Sequence, residues 1–253
     1  MPHLRREIEE GVVTFTLDVP DKKNALTAEL RAELLEGIRH DEADAAVRAI
    51  ILTGAGGTFC SGGDIALMGE GDEAGRRRRL AILHEVVRLL VAGSKPVVAA
   101  VSGAAYGGGF SLAMAADYVV ADTTARFCAS FGQVGLMGDM GLLWTLPQRI
   151  GHTRTRQLVM DGRVLVAGDA LHLGIVDRLV LPGELQHAAR ETAIQASSMA
   201  PLPIAATKAI MADGLNAALT AEMEAQMRLF ASRDHIEARA AFLDRRQPTY
   251  IGR

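Results

Sequence analysis

A single α/β domain is the fold class this sequence predicts, and three observations carry the prediction. The chain has 253 residues, 49% of them hydrophobic, which is enough to fill one sizeable core. Short β-branched apolar runs, such as residues 49–53 and 97–101, alternate with longer stretches whose apolar residues recur at helical spacing. Two of those runs end in glycine-rich loops, GAGGTFCSGGDI and SGAAYGGG, and the second leads directly into a small-residue helical segment, FSLAMAA.

Taken in order, residues 4–9 and 12–18 alternate apolar and polar positions about Glu10 and Gly11. This predicts a hairpin with Val13, Phe15 and Leu17 on one face. Thr27 is placed to cap a helix on which Leu30, Leu34, Leu35 and Ile38 share a side. Strand 49–53 runs into the first glycine loop, which ends at Asp64. Residues 69–75 are small and polar and predict a mobile loop, and Arg76 to Arg79 form a charge run ahead of the helix LAILHEVVRLLV. Such a run reads as a solvated face or as a source of arginine for a ligand phosphate. His84, among Leu80, Leu83 and Val87, reads first as a packed histidine and second as a catalytic one.

The stretch from Lys95 to Asp117 organises the rest. Strand 97–101 is followed by Gly107, Gly108 and Gly109 at the start of a helix, where backbone N–H groups are uncovered by side chains and close to the positive end of the helix dipole. Such amides suit an anion or a developing oxyanion, although close packing of helix on strand calls for the same glycines. Short strands are expected at 118–121 and 125–128. Asp139 then stands in an apolar run, where a carboxylate must find a partner, reach solvent or carry a raised pKa. It is equally well placed as N-cap of the helix LLWTLPQRI. Helical pieces at 153–161 and 167–172, a strand at 176–180, a helix at 183–199 ended near Pro201 and Pro203, and helices at 203–213, 218–231 and 234–244 complete the chain. In the last three, Met211, Met223, Met227, Leu229, Phe230 and Phe242 read as core or interface, and nothing reads as chemistry.

Composition narrows the partners. A net charge of -3 supplies no basic field for nucleic acid or an anionic membrane, and no run approaches the roughly 20 apolar residues of a membrane span. Cys60 and Cys128 lack metal or disulfide spacing, and MPHLRREIEEG has no apolar signal core, so a cytoplasmic protein with small-molecule partners is expected. Neither glycine loop reads as GxGxxG or GxxxxGK[ST]. GFSLA approaches a GxSxG elbow, with Ser111 as nucleophile and His84 as base, but lacks the last glycine and an HGGG-like partner segment.

FCSGGDI at 59–65 and SGAAYGGGFSLAMAAD at 102–117 resemble the two signature segments of the crotonase superfamily, the enoyl-CoA hydratase/isomerase family. NALT at 24–27, ARF at 125–127 and GLMGDMGLLWTLPQRIG at 135–151 are similar to that family too. The resemblance implies a crotonase-like spiral of repeated ββα units over residues 1–195 and a C-terminal helical segment, 196–253, for trimerisation or as a lid. It further implies an acyl-CoA substrate, a homotrimer or dimer of trimers, and no separate cofactor or metal, since coenzyme A is part of the substrate. The two backbone N–H groups that grip a thioester oxygen fall on Gly63 and Gly108. Lys23, Ala25 and Ile65 lie where family members contact coenzyme A. The acyl chain would meet Met68, Leu80, Leu83, His84, Phe131, Met137 and Trp144, with Ser111 also at the substrate.

Members that add water to an enoyl-CoA resemble one another in two glutamates, and here those places hold Ser111 and Phe131. Serine is a poor base and phenylalanine transfers no proton. Asp139 falls where double-bond isomerases and aromatic-acyl-CoA dehalogenases of the family place an aspartate. The implied reaction is a double-bond shift, with Asp139 moving the proton while Gly63 and Gly108 hold the enolate. Hydration by a non-standard acid/base set, and an aspartate nucleophile in hydrolysis or dehalogenation, are the alternatives. A serine hydrolase or a non-enzymatic RNA-binding protein stands behind these.

Overall fold

The chain opens as a β-hairpin in a computed structural model that describes residues 2–68 and 71–253. Strands β1 (Leu4–Glu9) and β2 (Val12–Leu17) pair antiparallel about Glu10 and Gly11, whose φ values of 49° and 76° give the left-handed turn that matches strand twist. Helix α1 (Ala28–Ala43) starts where Thr27 accepts the Leu30 N–H at 3.3 Å. Then follow β3 (Ala49–Gly54), α2 (Ile65–Met68), α3 (Glu73–Ala92), β4 (Val97–Val101), β5 (Ala104–Tyr106), α4 (Gly108–Met114), β6 (Tyr118–Asp122) and β7 (Arg126–Cys128). Helix α5 (Leu142–Asp161) bends at Gly151; β8 (Leu165–Val166), α6 (Ala167–Leu173), β9 (Arg178–Val180) and α7 (Leu185–Ser197) come next. Helices α8 (Pro201–Met211), α9 (Leu215–Phe230) and α10 (Arg233–Leu243) end the fold.

The strands form two sheets. The larger runs β1-β2-β3-β4-β6-β9, parallel from β2 onward; the smaller runs β5-β7-β8. Isolated pairings of Cys60 with Ala105 and Leu26 with Gly63 carry the smaller layer toward the start of the chain. Each turn of the chain therefore contributes a strand to the larger sheet, an extended piece to the smaller one, and then a helix: β4, β5 and α4, for example. This is the expected spiral of ββα units. Strands β3 and β4 are buried on both faces, as their unbroken apolar runs require. One face meets the main core, with Leu30, Ile50, Val97 and Phe110. The other is covered by Leu185, Ala188, Ala189 and Ala193 of α7.

Several boundaries move. Of the loop expected at 69–75, Gly69 and Glu70 lie outside the described residues, and Glu73 to Gly75 form the first turn of α3, because the Asp72 carboxylate accepts the Gly75 N–H at 2.8 Å and caps the helix. Pro201 and Pro203 lie at the start of α8, where a missing N–H costs nothing. Strands β5 and β8 are too short to show alternation in sequence. The boundary expected at 195 falls in the last turn of α7. Beyond it, Leu215 and Leu219 of α9 join the main core, and Lys208 of α8 donates to Leu90 O at 2.9 Å and to the Asp117 carboxylate.

Helix α4 touches the preceding turn of the spiral so closely that a β-carbon on Gly109 would lie 2.1 Å from Cys60 O. Gly109→Ala is expected to destabilise the protein by about 3 kcal/mol, an overpacking cost with backbone on the other side, read as a lower denaturation midpoint in urea.

Candidate active site

The site begins with the way two loops are stitched together. Cys60 N donates to Ala104 O at 2.9 Å and Tyr106 N to Cys60 O at 3.0 Å, joining the first glycine loop to the strand before α4. Leu26 N donates to Gly62 O at 2.8 Å and Ser61 N to Lys23 O at 3.0 Å, which adds the NALT segment. A β-carbon on Gly62 would fall 3.1 Å from Gly108 N, so the backbones around Gly63 and Gly108 are immediate neighbours. Gly107, at φ 50°, is the N-cap of α4, and Gly108 is its first residue, so helix geometry leaves the Gly108 N–H without an intrahelical acceptor. Among the described residues, neither the Gly63 nor the Gly108 amide donates to a protein acceptor.

Asn24 holds this corner and escaped notice in the sequence. It is fully buried at φ 54°; its Oδ1 accepts Val19 N at 2.9 Å, and its Nδ2 donates to Ala55 O at 2.9 Å and Thr58 O at 2.6 Å. Lys23, exposed and also left-handed, and buried Ala25 flank it. Asp64 is paired with Lys22 at 2.9 Å. The carbonyl of Ile65 accepts from Arg239 Nε at 3.3 Å, and Met68 lies against Gly63, where an added β-carbon would meet its methyl group at 2.2 Å. Phe131 is buried near Gly107.

The loop that carries Asp139 packs against the start of α4. Its neighbour Met140 has its sulfur 3.0 Å from where a Gly108 β-carbon would be. The cap reading is corrected: Gly141 is the N-cap of α5, and the Asp139 carboxylate instead accepts from Gln226 Nε2 at 3.0 Å. Removal from water, and second the charge of Glu222, push its pKa from 3.8 up to about 8, against the opposing Gln226 hydrogen bond. The turn that carries it is strained. Met140 has φ 53°, a conformation costing a non-glycine residue roughly 1–2 kcal/mol, and Gly141 follows at 72°. Glu222 holds that turn, accepting Met140 N at 2.7 Å on one oxygen and Gly141 N at 2.9 Å on the other.

Two residues expected at the substrate have protein partners. Ser111 is fully buried, and its hydroxyl donates to Asp139 O at 2.8 Å, so it ties the Asp139 loop to α4. His84 is 2% exposed, with Nε2 2.7 Å from Glu222 Oε1. Ser111 and His84 thus bond different partners and do not assemble a nucleophile and base. Met137 stays half-buried, its N–H donating to Gln226 Oε1 at 3.4 Å.

The charge run is largely engaged with protein: Arg76 donates to Gly71 O, and Arg77 pairs with Glu73 and Glu224. Glu222 and Gln226 bring α9, one of the C-terminal helices in which nothing reads as chemistry, against the Asp139 loop. Their sequence signal was the stripe Leu215, Leu219, Glu222, Gln226, in which polar residues continue an apolar face at helical spacing. Among the described residues, one group could gather a metal ion, His40, Asp41 and Asp44, but Arg6 already grips Asp41 with a bond of 2.6 Å.

The family described as enoyl-CoA hydratase/isomerase matches residues 7–253 of the chain. A protein of Rhodobacter capsulatus named probable enoyl-CoA hydratase is 36% identical, over 99% of this chain and 98% of its own. The 1,2-epoxyphenylacetyl-CoA isomerase of Escherichia coli is 33% identical over the whole of both chains. The crystal structure of an enoyl-CoA hydratase from Mycobacterium avium subsp. paratuberculosis matches with a TM-score of 0.88 at 28% identity, covering 98% of each chain.

A raised carboxyl pKa has a signed consequence. Between the unfolded value near 4 and the folded one, the folded state holds a proton that the unfolded chain has released, so stability falls as pH rises through that window. The slope from this group is at most about 1.4 kcal/mol per pH unit. Asp139→Asn is expected to flatten it, as read from urea unfolding at pH values from about 5 to 8. An unchanged slope in the variant would contradict the assignment.

Proposed function

The chain belongs to the enoyl-CoA hydratase/isomerase family, and from that premise we propose that it shifts a double bond along an enoyl-CoA thioester by proton transfer through Asp139. The carboxylate takes a proton from the carbon chain, and the electron pair left behind delocalises onto the thioester oxygen. The amides of Gly63 and Gly108 then carry that charge as two fixed donors, each worth a few kcal/mol in a water-poor site. The protonated Asp139 returns its proton to a different carbon, and the bond has moved with no atom gained or lost. A pKa raised toward neutrality serves both halves, since the group must be base and then acid.

The observation that carries this reading is a carboxyl with a raised pKa on a loop packed against the start of α4, where the Gly108 amide, like that of neighbouring Gly63, donates to no protein acceptor among the described residues. The other two positions at which a second acid or base could act hold a buried, hydrogen-bonded Ser111 and the hydrocarbon ring of Phe131. One carboxylate suffices for a proton shift, and the relative named as an epoxyphenylacetyl-CoA isomerase supports an isomerase reading. Water addition is the second reading, favoured by the relative named as a hydratase. Assembly into trimers or dimers of trimers through the C-terminal helices is proposed with it, supported by Leu202, Ile210 and Met211, each more than 70% exposed along α8.

Asp139→Asn is expected to lower turnover by about 10²- to 10⁴-fold, the span of general acid–base catalysis, with thioester affinity nearly retained by calorimetry. A panel of 2-enoyl-, 3-enoyl- and dienoyl-CoA thioesters with product identification separates the two readings: a moved double bond supports the proposal, and fast hydration of a 2-enoyl-CoA overturns it. Native mass spectrometry is expected to give three or six chains.

A further inference from the structure

Asp139 is held from behind by groups that the proton shift itself does not call for. Helix α9 presents Glu222 and Gln226 one turn apart, at 5% and 0% exposure. Glu222 accepts the Met140 and Gly141 N–H groups on its two oxygens, with His84 of α3 on the first of them. Gln226 brackets the same loop, with Nε2 toward Met137 O at 3.3 Å and Asp139 Oδ2 at 3.0 Å and Oε1 accepting Met137 N. From α4, Ser111 holds the Asp139 carbonyl. Both oxygens of this buried acid are engaged by protein groups, which fixes its carboxyl in place behind Asp139.

We propose that Glu222 and Gln226, with His84 steadying Glu222, are positioning residues for the Asp139 base: they hold the left-handed Met140–Gly141 turn and set the charge and hydrogen bonding that the Asp139 carboxyl experiences. The two act in opposite senses. Glu222 places a negative charge beside Asp139 and favours its protonated form, whereas Gln226 donates to Oδ2 and favours the carboxylate. His84 is the titratable group on the far side of Glu222, and Ser111 on α4 adds no charge.

The inference rests on the role proposed for Asp139, so the experiment first isolates that role. Exchange of chain protons of a 3-enoyl-CoA into deuterated buffer, followed by NMR, reports deprotonation whatever the product. If wild type exchanges and Asp139→Asn does not, the base is established and the variants below decide this inference alone; exchange that survives in Asp139→Asn overturns the function and not the positioning geometry. Glu222→Gln is expected to move the midpoint of the rising limb of kcat/KM against pH to lower pH by about one unit, the coupling of interacting carboxyls, and to lower kcat by about 10²-fold, as a displacement of about 1 Å does. Gln226→Met is expected to move the same midpoint to higher pH. Shifts of opposite sign are something a loosened helix would not produce. Equal rates and midpoints in both variants, or shifts in one direction, overturn the proposal. Circular dichroism checks folding, and should Glu222→Gln fail to fold, the upward midpoint shift of Gln226→Met is the deciding result, its absence sinking the idea.

Discussion

Two hydrogen bonds made by Cys60, from its N–H to Ala104 O and from Tyr106 N to its carbonyl, are the constraint on which the rest of the site depends. They bind one turn of the spiral to the next, tying the first glycine loop to the short strand β5. Once that register is set, Gly63 and Gly108 come side by side, and among the described residues their amides have no protein acceptor. The glycines follow from it: Gly109 has a carbonyl where its β-carbon would be, and Gly107 needs a φ of 50°. A preorganised pair of donors is more effective than the same groups in water, because no reorientation is needed when charge develops on a ligand oxygen. The scaffold has already met the cost of leaving those N–H groups unpaired, through burial elsewhere along β3 and β4.

Against that fixed donor pair stands a carboxyl whose surroundings are arranged the other way. Asp139 has few donors and an acidic neighbour, so the protein disfavours its charge, while the amides opposite favour negative charge on a ligand. In the proposed proton shift the two halves complement each other: when Asp139 is protonated, the charge would lie on the oxygen held by the amides, and the unfavourable proximity of two carboxylates would be relieved in the same step. Under that proposal one acid/base group is chemically adequate, and Ser111 has a structural part, since its hydroxyl braces the loop that carries Asp139.

Much of this was legible in the residues. The hairpin turn at Glu10–Gly11, the Thr27 cap and the strand–glycine–helix passage at 97–114 each have a local cause, so propensity and periodicity found them. The placement of Asp139 between cap and catalyst was not decidable locally, because the group that caps the turn, Glu222, is 83 residues away in sequence and belongs to another helix. Likewise His84 could be recognised as packed, but its partner could not. Strands β5 and β8, of three and two residues, carry no alternation to detect and exist only because neighbouring turns of the spiral offer them a ladder. Long-range hydrogen bonds to backbone are what sequence patterns describe least well, and this site is assembled from them.

The division of labour between the two regions of the chain follows from the same geometry. The spiral supplies the amides through backbone alone, and the close approaches at Gly62 and Gly109 confine those turns to glycine. Asp139, the proposed base, is different: it precedes a strained turn, and helix α9 holds that loop with the side chains of Glu222 and Gln226. A segment that is helical, terminal and partly exposed would ordinarily be read as packing or assembly. Here its inward stripe passes from Leu215 and Leu219 in the core to Glu222 and Gln226 at the Asp139 loop, so one helix links the packing of the fold to the surroundings of that carboxyl.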